Sequence, residues 1–296
     1  MKTIMMIEPV SFGFNEETAA NNYFQKKEQI DDAQSKALLE FKHFVEHLQS
    51  HDIDVLVVQD TPSPLTPDSI FPNNWISIHE EGTMVLYPMY AKNRRQERKQ
   101  TVVDAVKNNV VIDEVVDFTH FESSHKYLEG TGSMVLDRKN KVAYACISER
   151  TDEALFSTFC MKMNYTPMLF HAQDQRALPI YHTNVLMCMA DKYVVICLDA
   201  VYDQMEREKL VEQFIATQKD IITISFDQMD HFCGNMLQVK NKYGNYFLVM
   251  STQAFNHLDA DQVKRLEAYQ PIIHSDITTI ETLGGGSARC MMAELG

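Results

Sequence analysis

A short turn recurs five times along this chain at nearly constant spacing, and that recurrence limits the fold more than any other feature. The turns are Phe71-Pro72-Asn73-Asn74, Glu129-Gly130-Thr131-Gly132, His182-Thr183-Asn184, Cys233-Gly234-Asn235 and Gly284-Gly285-Gly286-Ser287-Ala288-Arg289-Cys290. Anchored at positions 74, 132, 184, 235 and 287, they lie 58, 52, 51 and 52 residues apart. A period of that size means one supersecondary unit used repeatedly. Glu129, His182 and Cys290, the side chains able to do chemistry, sit on three different copies. A ring of five units would bring them together at its centre.

Between the turns, each copy carries a helical pattern and then short apolar runs. Over 31–50 the apolar face is Ala37, Leu38, Phe41, Phe44, Val45 and Leu48, the spacing of a helix with one buried side. Further helices are predicted over 94–108, 151–163, 202–218 and 258–268. Two of them open on acids, Thr151-Asp152-Glu153 and Asp259-Ala260-Asp261, where helix amides lack partners. Apolar strands follow at 55–58, 110–116, 167–170, 221–226 and 271–274. After the turns come hairpins, such as 185–189 with 193–198 and 236–240 with 246–250.

The unit therefore reads helix, strand, loop, hairpin. The last copy stops soon after Cys290, whereas 3–8 is a spare strand without a hairpin. Pairing the two ends would close the ring and protect two sheet edges. The expected fold is α/β: one domain over 1–296, a closed five-bladed pseudo-symmetric α/β propeller with the N-terminal strand completing the last blade. The proline-bearing stretch 60–69 is expected to loop over one face.

Composition removes several classes of function. A formal charge of −14 argues against a nucleic-acid partner, which needs a basic surface. The one basic run, 92–99, reads as a solvated first turn of a helix. No apolar run approaches the ~18 residues of a membrane span, so no membrane partner is expected. The start is an apolar strand ended by Glu8 rather than a secretory signal. Six cysteines without a CxxC pair fit reduced, buried thiols in a cytoplasm. His43, His47 and His51 share a helix face, but no carboxylate or cysteine joins them, and no metal site is expected.

Cys290 follows three glycines, which let the backbone approach a ligand closely. A thiol there, beside the Arg289 cation, is a candidate thiolate nucleophile. Ser287 is a rival, although the GxSxG spacing of serine hydrolases is absent. His182, at the start of a turn, is the candidate general acid and base. Glu129 is the carboxylate that would orient it. Nucleophile, base and orienter on three repeats form a catalytic set.

With these residues in place, the chain resembles the pentein-fold enzymes that modify guanidino groups: arginine deiminases, dimethylarginine dimethylaminohydrolases and amidinotransferases. The resemblance rests on the five-fold repeat, the Glu129-Gly130-Thr131-Gly132 turn, the His182 turn and the Gly-rich Cys290 segment, and it covers nearly the whole chain. The stretch 12–22 together with Phe71-Pro72-Asn73-Asn74-Trp75 is most similar to the citrulline-utilisation hydrolase (ureidase) branch. The resemblance implies that Cys290 attacks the planar carbon of a guanidino or ureido group and forms a covalent S-linked intermediate. It further implies that His182 protonates the leaving nitrogen and then activates water, that Glu129 holds His182 or a substrate N–H, and that no cofactor is needed.

Three positions depart from the arginine-modifying pattern. Asn74 stands where an acid is usual, Asn184 stands where deiminases carry an Asp, and Gly132 ends the Glu129 turn without a further acid. A cationic guanidinium favours carboxylates, whereas a neutral ureido carbonyl accepts from an amide. The expectation is therefore hydrolysis of a ureido amino acid, citrulline to ornithine, with Phe71, Asn73, Asn74, Asn184, Arg289 and Asn22 binding substrate. Asn15 is placed with Asn22 near the α-amino-acid end. Arginine or methylarginine hydrolysis or amidino transfer by the same triad stays open, as does a non-catalytic binding protein, and a homo-oligomer is possible.

Overall fold

The computed structural model describes residues 3–295, which form five three-stranded sheets. Strand β1 (Thr3–Glu8) runs parallel to β2 (Val55–Gln59). Strands β3 (Ile76–Ile78), β4 (Thr83–Leu86) and β5 (Glu114–Asp117) make the second sheet. The third holds β6 (Val135–Asp137), β7 (Val142–Cys146) and β8 (Thr166–Phe170). The fourth holds β9 (Met187–Met189), β10 (Tyr193–Ile196) and β11 (Asp220–Thr223). The fifth holds β12 (Leu237–Lys240), β13 (Tyr246–Ser251) and β14 (Ile272–Ser275). The last strand, β15 (Ala293–Leu295), pairs antiparallel with β1 and completes the first sheet, as expected for the spare strand at 3–8.

Every sheet follows one plan: an antiparallel pair, a helix, then a strand parallel to the second member of the pair. Parallel neighbours require a crossover, which the helices Ala33–Ser50, Gln100–Asn109, Glu153–Met163, Gln204–Ala216 and Ala260–Glu267 supply. The frame of the repeat thus differs from the sequence reading. The strand after each helix pairs with the hairpin before it, not the one after it, because a crossover helix returns the chain beside the strand that entered it. Of the inner strands, β15 packs against β3, and β9 packs against both β6 and β12.

The predicted face of the first crossover helix is buried at Ala37, Phe41, Phe44, Val45 and Leu48, whereas Leu38 is only half-buried. Asp152 caps its helix by accepting from Leu155 N at 2.8 Å, and Asp259 forms a reciprocal capping box with Gln262. Three further helices, Phe226–Asp230, Thr252–His257 and Thr278–Gly284, stand where no helix was expected. Ser225 and Gln228 form a capping box for the first of them, which ends the apolar run 221–226 early as a strand.

All six cysteines are buried and free. His43 is exposed and His47 Nδ1 lies 3.1 Å from Ser275 Oγ; among the described residues no cluster suits a metal ion. No helix among the described residues is long and apolar enough to cross a membrane.

Because β1 is the central strand of its sheet and Met6 is fully buried, Met6→Ala is expected to lower the free energy of unfolding by about 2–5 kcal/mol. Urea titration measures this. An unchanged midpoint would contradict the central place of β1.

Candidate active site

The recurring turns meet at one end of the inner strands. Two of them are short helices, Gly130–Ser133 and Thr183–Leu186, and Pro72–Asn74 is a single 3-10 turn. Glu129 and His182 directly precede their helices, so both side chains sit at element ends held by packed sheets. Gly132 leaves room for them: a Cβ there would lie 2.4 Å from Asn74 Nδ2 and 2.7 Å from His182 Nδ1. Cys290 arrives from a different direction, at the end of the glycine run that follows the helix Thr278–Gly284.

Cys290 and His182 line one cavity with Phe71, Asn74, Asn22 and the three glycines. Its free volume is about 10 Å³, room for roughly one water. Thr18 and Asn22, from the segment before the first crossover helix, belong to its wall. Asn22 Nδ2 donates to Gly285 O at 3.2 Å, and the Tyr181 hydroxyl donates to the same carbonyl at 2.7 Å. The stretch 60–69 contributes Asp68 to the wall.

Glu129 is fully buried and fully used. Its Oε2 accepts from His182 Nε2 at 2.8 Å and lies 3.4 Å from Arg150 Nη1, while Oε1 accepts from Tyr90 N at 2.9 Å. Burial alone would raise this carboxyl, but Arg150 and the His182 hydrogen bond outweigh burial and hold it at about 2. For His182, burial dominates and lowers the ring to about 4, against the opposing pull of Glu129. The pair is therefore an ionised carboxylate and a neutral imidazole with its proton on Nε2. That tautomer follows from the hydrogen bond, and it leaves the Nδ1 lone pair free to accept a proton.

Asn74 is oriented just as firmly. Its Oδ1 accepts from Arg94 Nη1 at 2.7 Å, so its Nδ2 is the donor, and that Nδ2 is buried without a partner. Arg94 is itself buried, with Nε donating to Glu97 at 2.8 Å and Nη2 to Phe71 O at 3.1 Å. Asp68 completes the wall. Its Oδ2 accepts from Asn15 Nδ2 at 2.7 Å, while its Oδ1 is buried and unpartnered. Burial raises the Asp68 carboxyl, and Arg94 opposes that rise.

Several of the residues singled out in the sequence lie away from this wall. The Arg289 guanidinium turns away from the thiol: Nη1 donates to Met292 O at 2.7 Å and Nη2 lies 3.7 Å from Glu294. It lines a second cavity of about 370 Å³ among the inner strands, whose wall carries four cations and four acids. Asn184 lines that cavity too, and its Nδ2 donates to Cys290 Sγ at 3.4 Å instead of facing the first cavity. Asn73 is buried away from the wall, its side-chain amide unpartnered and its backbone carbonyl accepting from Thr131 Oγ1 at 3.2 Å. Ser287 Oγ donates to Glu281 at 2.6 Å and is not among the wall residues.

The basic run 92–99 is not a solvated helical turn. Arg94, Glu97 and Lys99 are buried, and the helix begins only at Gln100. Arg94, Arg150, Asp68, Tyr181 and Thr18 are wall residues that the sequence reading missed. Arg150 had one visible signal, a cation just ahead of a capped helix.

The same fold occurs in solved enzymes. The apo structure of ArgZ, an arginine dihydrolase from the ornithine-ammonia cycle in Cyanobacteria, matches with a TM-score of 0.79 at 17% identity, covering 100% of this chain and 40% of that one. Its N-terminal domain bound to substrate gives 0.78 at 18%, covering 100% and 98%. A dimethylarginine dimethylaminohydrolase variant, as its adduct with S-methyl-L-thiocitrulline, gives 0.64 at 12%, covering 99% and 98%. This chain thus spans 40% of the full ArgZ chain and nearly all of its N-terminal domain. The fold is the pentein fold of guanidino-modifying enzymes.

Within that class, the family model for "N,N dimethylarginine dimethylhydrolase, eukaryotic" matches residues 8–296, and the chain belongs to this family. No curated protein sequence matches it.

Proton linkage tests the neutral His182. Its native value of about 4 lies below the ordinary 6.5, so between those limits the unfolded chain holds a proton that the native chain lacks. Stability present above pH 6.5 is therefore lost as pH falls toward 4. His79, lowered to about 3 by burial, adds a parallel loss. His182→Gln is expected to reduce the slope of stability against pH by about 1.4 kcal/mol per unit, read by urea unfolding across this window. An unchanged slope would mean that His182 is charged in the native state.

Proposed function

We propose that the protein is a cysteine-dependent hydrolase that cleaves a C–N bond of a ureido amino acid, converting citrulline to ornithine. One observation carries this reading: the cavity beside Cys290 holds a buried unpartnered donor, Asn74 Nδ2, and a buried unpartnered acceptor, Asp68 Oδ1. Each such group costs about 1–3 kcal/mol when left unpaired. A ureido group supplies both partners, a carbonyl oxygen for Asn74 and an N–H for Asp68. A guanidinium supplies donors only and would leave the Asn74 amide unpaired.

In the reaction, Cys290 Sγ attacks the ureido carbon and His182 Nδ1 takes the thiol proton. Negative charge developing on the carbonyl oxygen is met by Asn74 Nδ2, which Arg94 already aims. The imidazolium, stabilised by Glu129, gives its proton to the leaving nitrogen; the C–N bond breaks and ornithine departs. A carbamoyl group remains on the sulfur. His182 then takes a proton from water, the hydroxide displaces the sulfur, and the carbamate breaks down to ammonia and carbon dioxide. No cofactor enters.

The five sheets are read as blades of one closed ring over 1–296. Support comes from the shared plan of the sheets and from the second cavity, which is lined by strands of four sheets and by Glu80 from the hairpin of the remaining one. Six free buried thiols accord with a reducing, cytoplasmic setting.

A second reading, hydrolysis of arginine or a methylated arginine, draws on the family and on the arginine dihydrolase fold neighbours. The free carboxylate oxygen of Asp68 suits it as well.

Product analysis with citrulline and arginine side by side decides between them. Ornithine and ammonia are expected from citrulline, and neither from Cys290→Ala. Asn74→Asp is expected to lower citrulline turnover roughly tenfold to a hundredfold, the loss of one charge-assisted hydrogen bond. Turnover of arginine alone would overturn the ureido reading.

A further inference from the structure

The sulfur of Cys290 has a surrounding that the triad does not explain. Among the described residues no hydrogen bond joins it to His182, whose bonded nitrogen faces Glu129. Its partners are two amides instead. Asn184 Nδ2 and Asn235 Nδ2 each lie 3.4 Å from Sγ, and Asn235 Oδ1 lies 3.7 Å away.

Asn235 cannot turn its amide over. Its Oδ1 accepts from the backbone N–H of Arg289 at 3.1 Å, and its Nδ2 donates to the backbone carbonyl of Asn184 at 2.9 Å. Both bonds are to main chain, so they fix which end faces the thiol. The turn that carries Asn235 is seated just as tightly. A Cβ on Gly234 would lie 2.3 Å from Val185 O, so only glycine lets this turn press against the turn of Asn184. Asn235 is fully buried and lies outside the wall of the first cavity. It therefore reaches the nucleophile from the side away from substrate.

From this geometry we infer that Asn235, acting with Asn184, stabilises the thiolate that forms when His182 takes the Cys290 proton and fixes the sulfur's direction of attack. The inference rests on the reading of Cys290 as the nucleophile. A thiol offers one proton and accepts weakly, whereas a thiolate accepts well from N–H donors. Two donors aimed at one sulfur thus favour its charged form. Donation of the thiol proton to Asn235 Oδ1 is the longest of the three contacts, and that oxygen is already engaged by Arg289 N.

The charged groups nearby share the task unevenly. Arg94 and Arg150 stand on the cavity wall with Asp68, and Glu129 backs His182. Arg289, although next in the chain, points its guanidinium into the other cavity. The amides are the only groups that touch the sulfur among these.

The test uses the full chain and no substrate, so it stands whether or not citrulline is turned over. The pH at which ultraviolet thiolate absorbance appears is recorded for the parent and for Asn235→Asp, each as a difference against the same protein carrying Cys290→Ala. The aspartate keeps the shape and the acceptor for Arg289 N, but it removes the donor and adds a like charge. The onset is expected to move up by about one pH unit or more, a tenfold loss of thiolate below it. Asn235→Ala is expected to move it in the same direction by less. A thermal midpoint close to that of the parent separates this effect from loss of fold. If Asn235→Asp does not fold, Asn184→Asp carries the same expectation through the other donor. An onset that coincides with the parent in a folded aspartate variant overturns the proposal.

Discussion

The site exists because neighbouring turns touch backbone to backbone. Gly130 has φ +48°, and a Cβ on it would lie 2.4 Å from Asn73 O. Gly234 makes the equivalent approach to Val185 O on the other side of the site. Contacts this close admit no side chain at the point of touch. The residues flanking each glycine are therefore carried to a common centre with little freedom. Asn74, Glu129, His182, Asn184, Asn235 and Cys290 come from five different turns yet form one connected set.

What the turns bring together is an electrostatic arrangement that water would dissolve. Glu129, Arg150 and His182 are all but fully buried, and the two charges are of opposite sign beside a ring that burial keeps neutral. Leaving the carboxylate there without Arg150 would cost several kcal/mol. Arg150 is held in turn by Thr18 O and Asn21 and stacks on Tyr181 with its guanidinium 4.9 Å from the ring centre. The segment that brings Thr18 and Asn22 to the cavity wall is thus tied to the cation that sets the charge of Glu129. The same logic applies to Arg94, which is neutralised by Glu97 and spends one N–H on orienting Asn74.

The sequence revealed the repeat, the pairing of residues 3–8 with the chain end, and the convergence of Glu129 and His182, because each leaves a local signature. A period, an unpaired strand and a glycine-flanked acid can all be read without knowing what packs on them. The frame of the unit could not be read that way, since parallel pairing joins segments separated by a whole helix. Arg94 was hidden inside a basic run, and its burial against Asp68 and Glu97 leaves no local signature in the sequence. Asp68 was hidden in a proline-bearing loop. Arg289 misled for a simpler reason: adjacency in the chain placed it beside Cys290, but successive side chains there point to opposite cavities. Asn235 carried the same turn signature as Asn74 and Asn184, and its role shows only in the distance to the sulfur.

The proposed chemistry is attack by Cys290 on a neutral ureido carbon. Acid-quenched intact-mass analysis during citrulline turnover tests it most directly, with peptide fragmentation to locate any adduct. A carbamoyl group is expected on Cys290 and on no other cysteine. An adduct that forms only from arginine, or one that forms elsewhere in the chain, would contradict it.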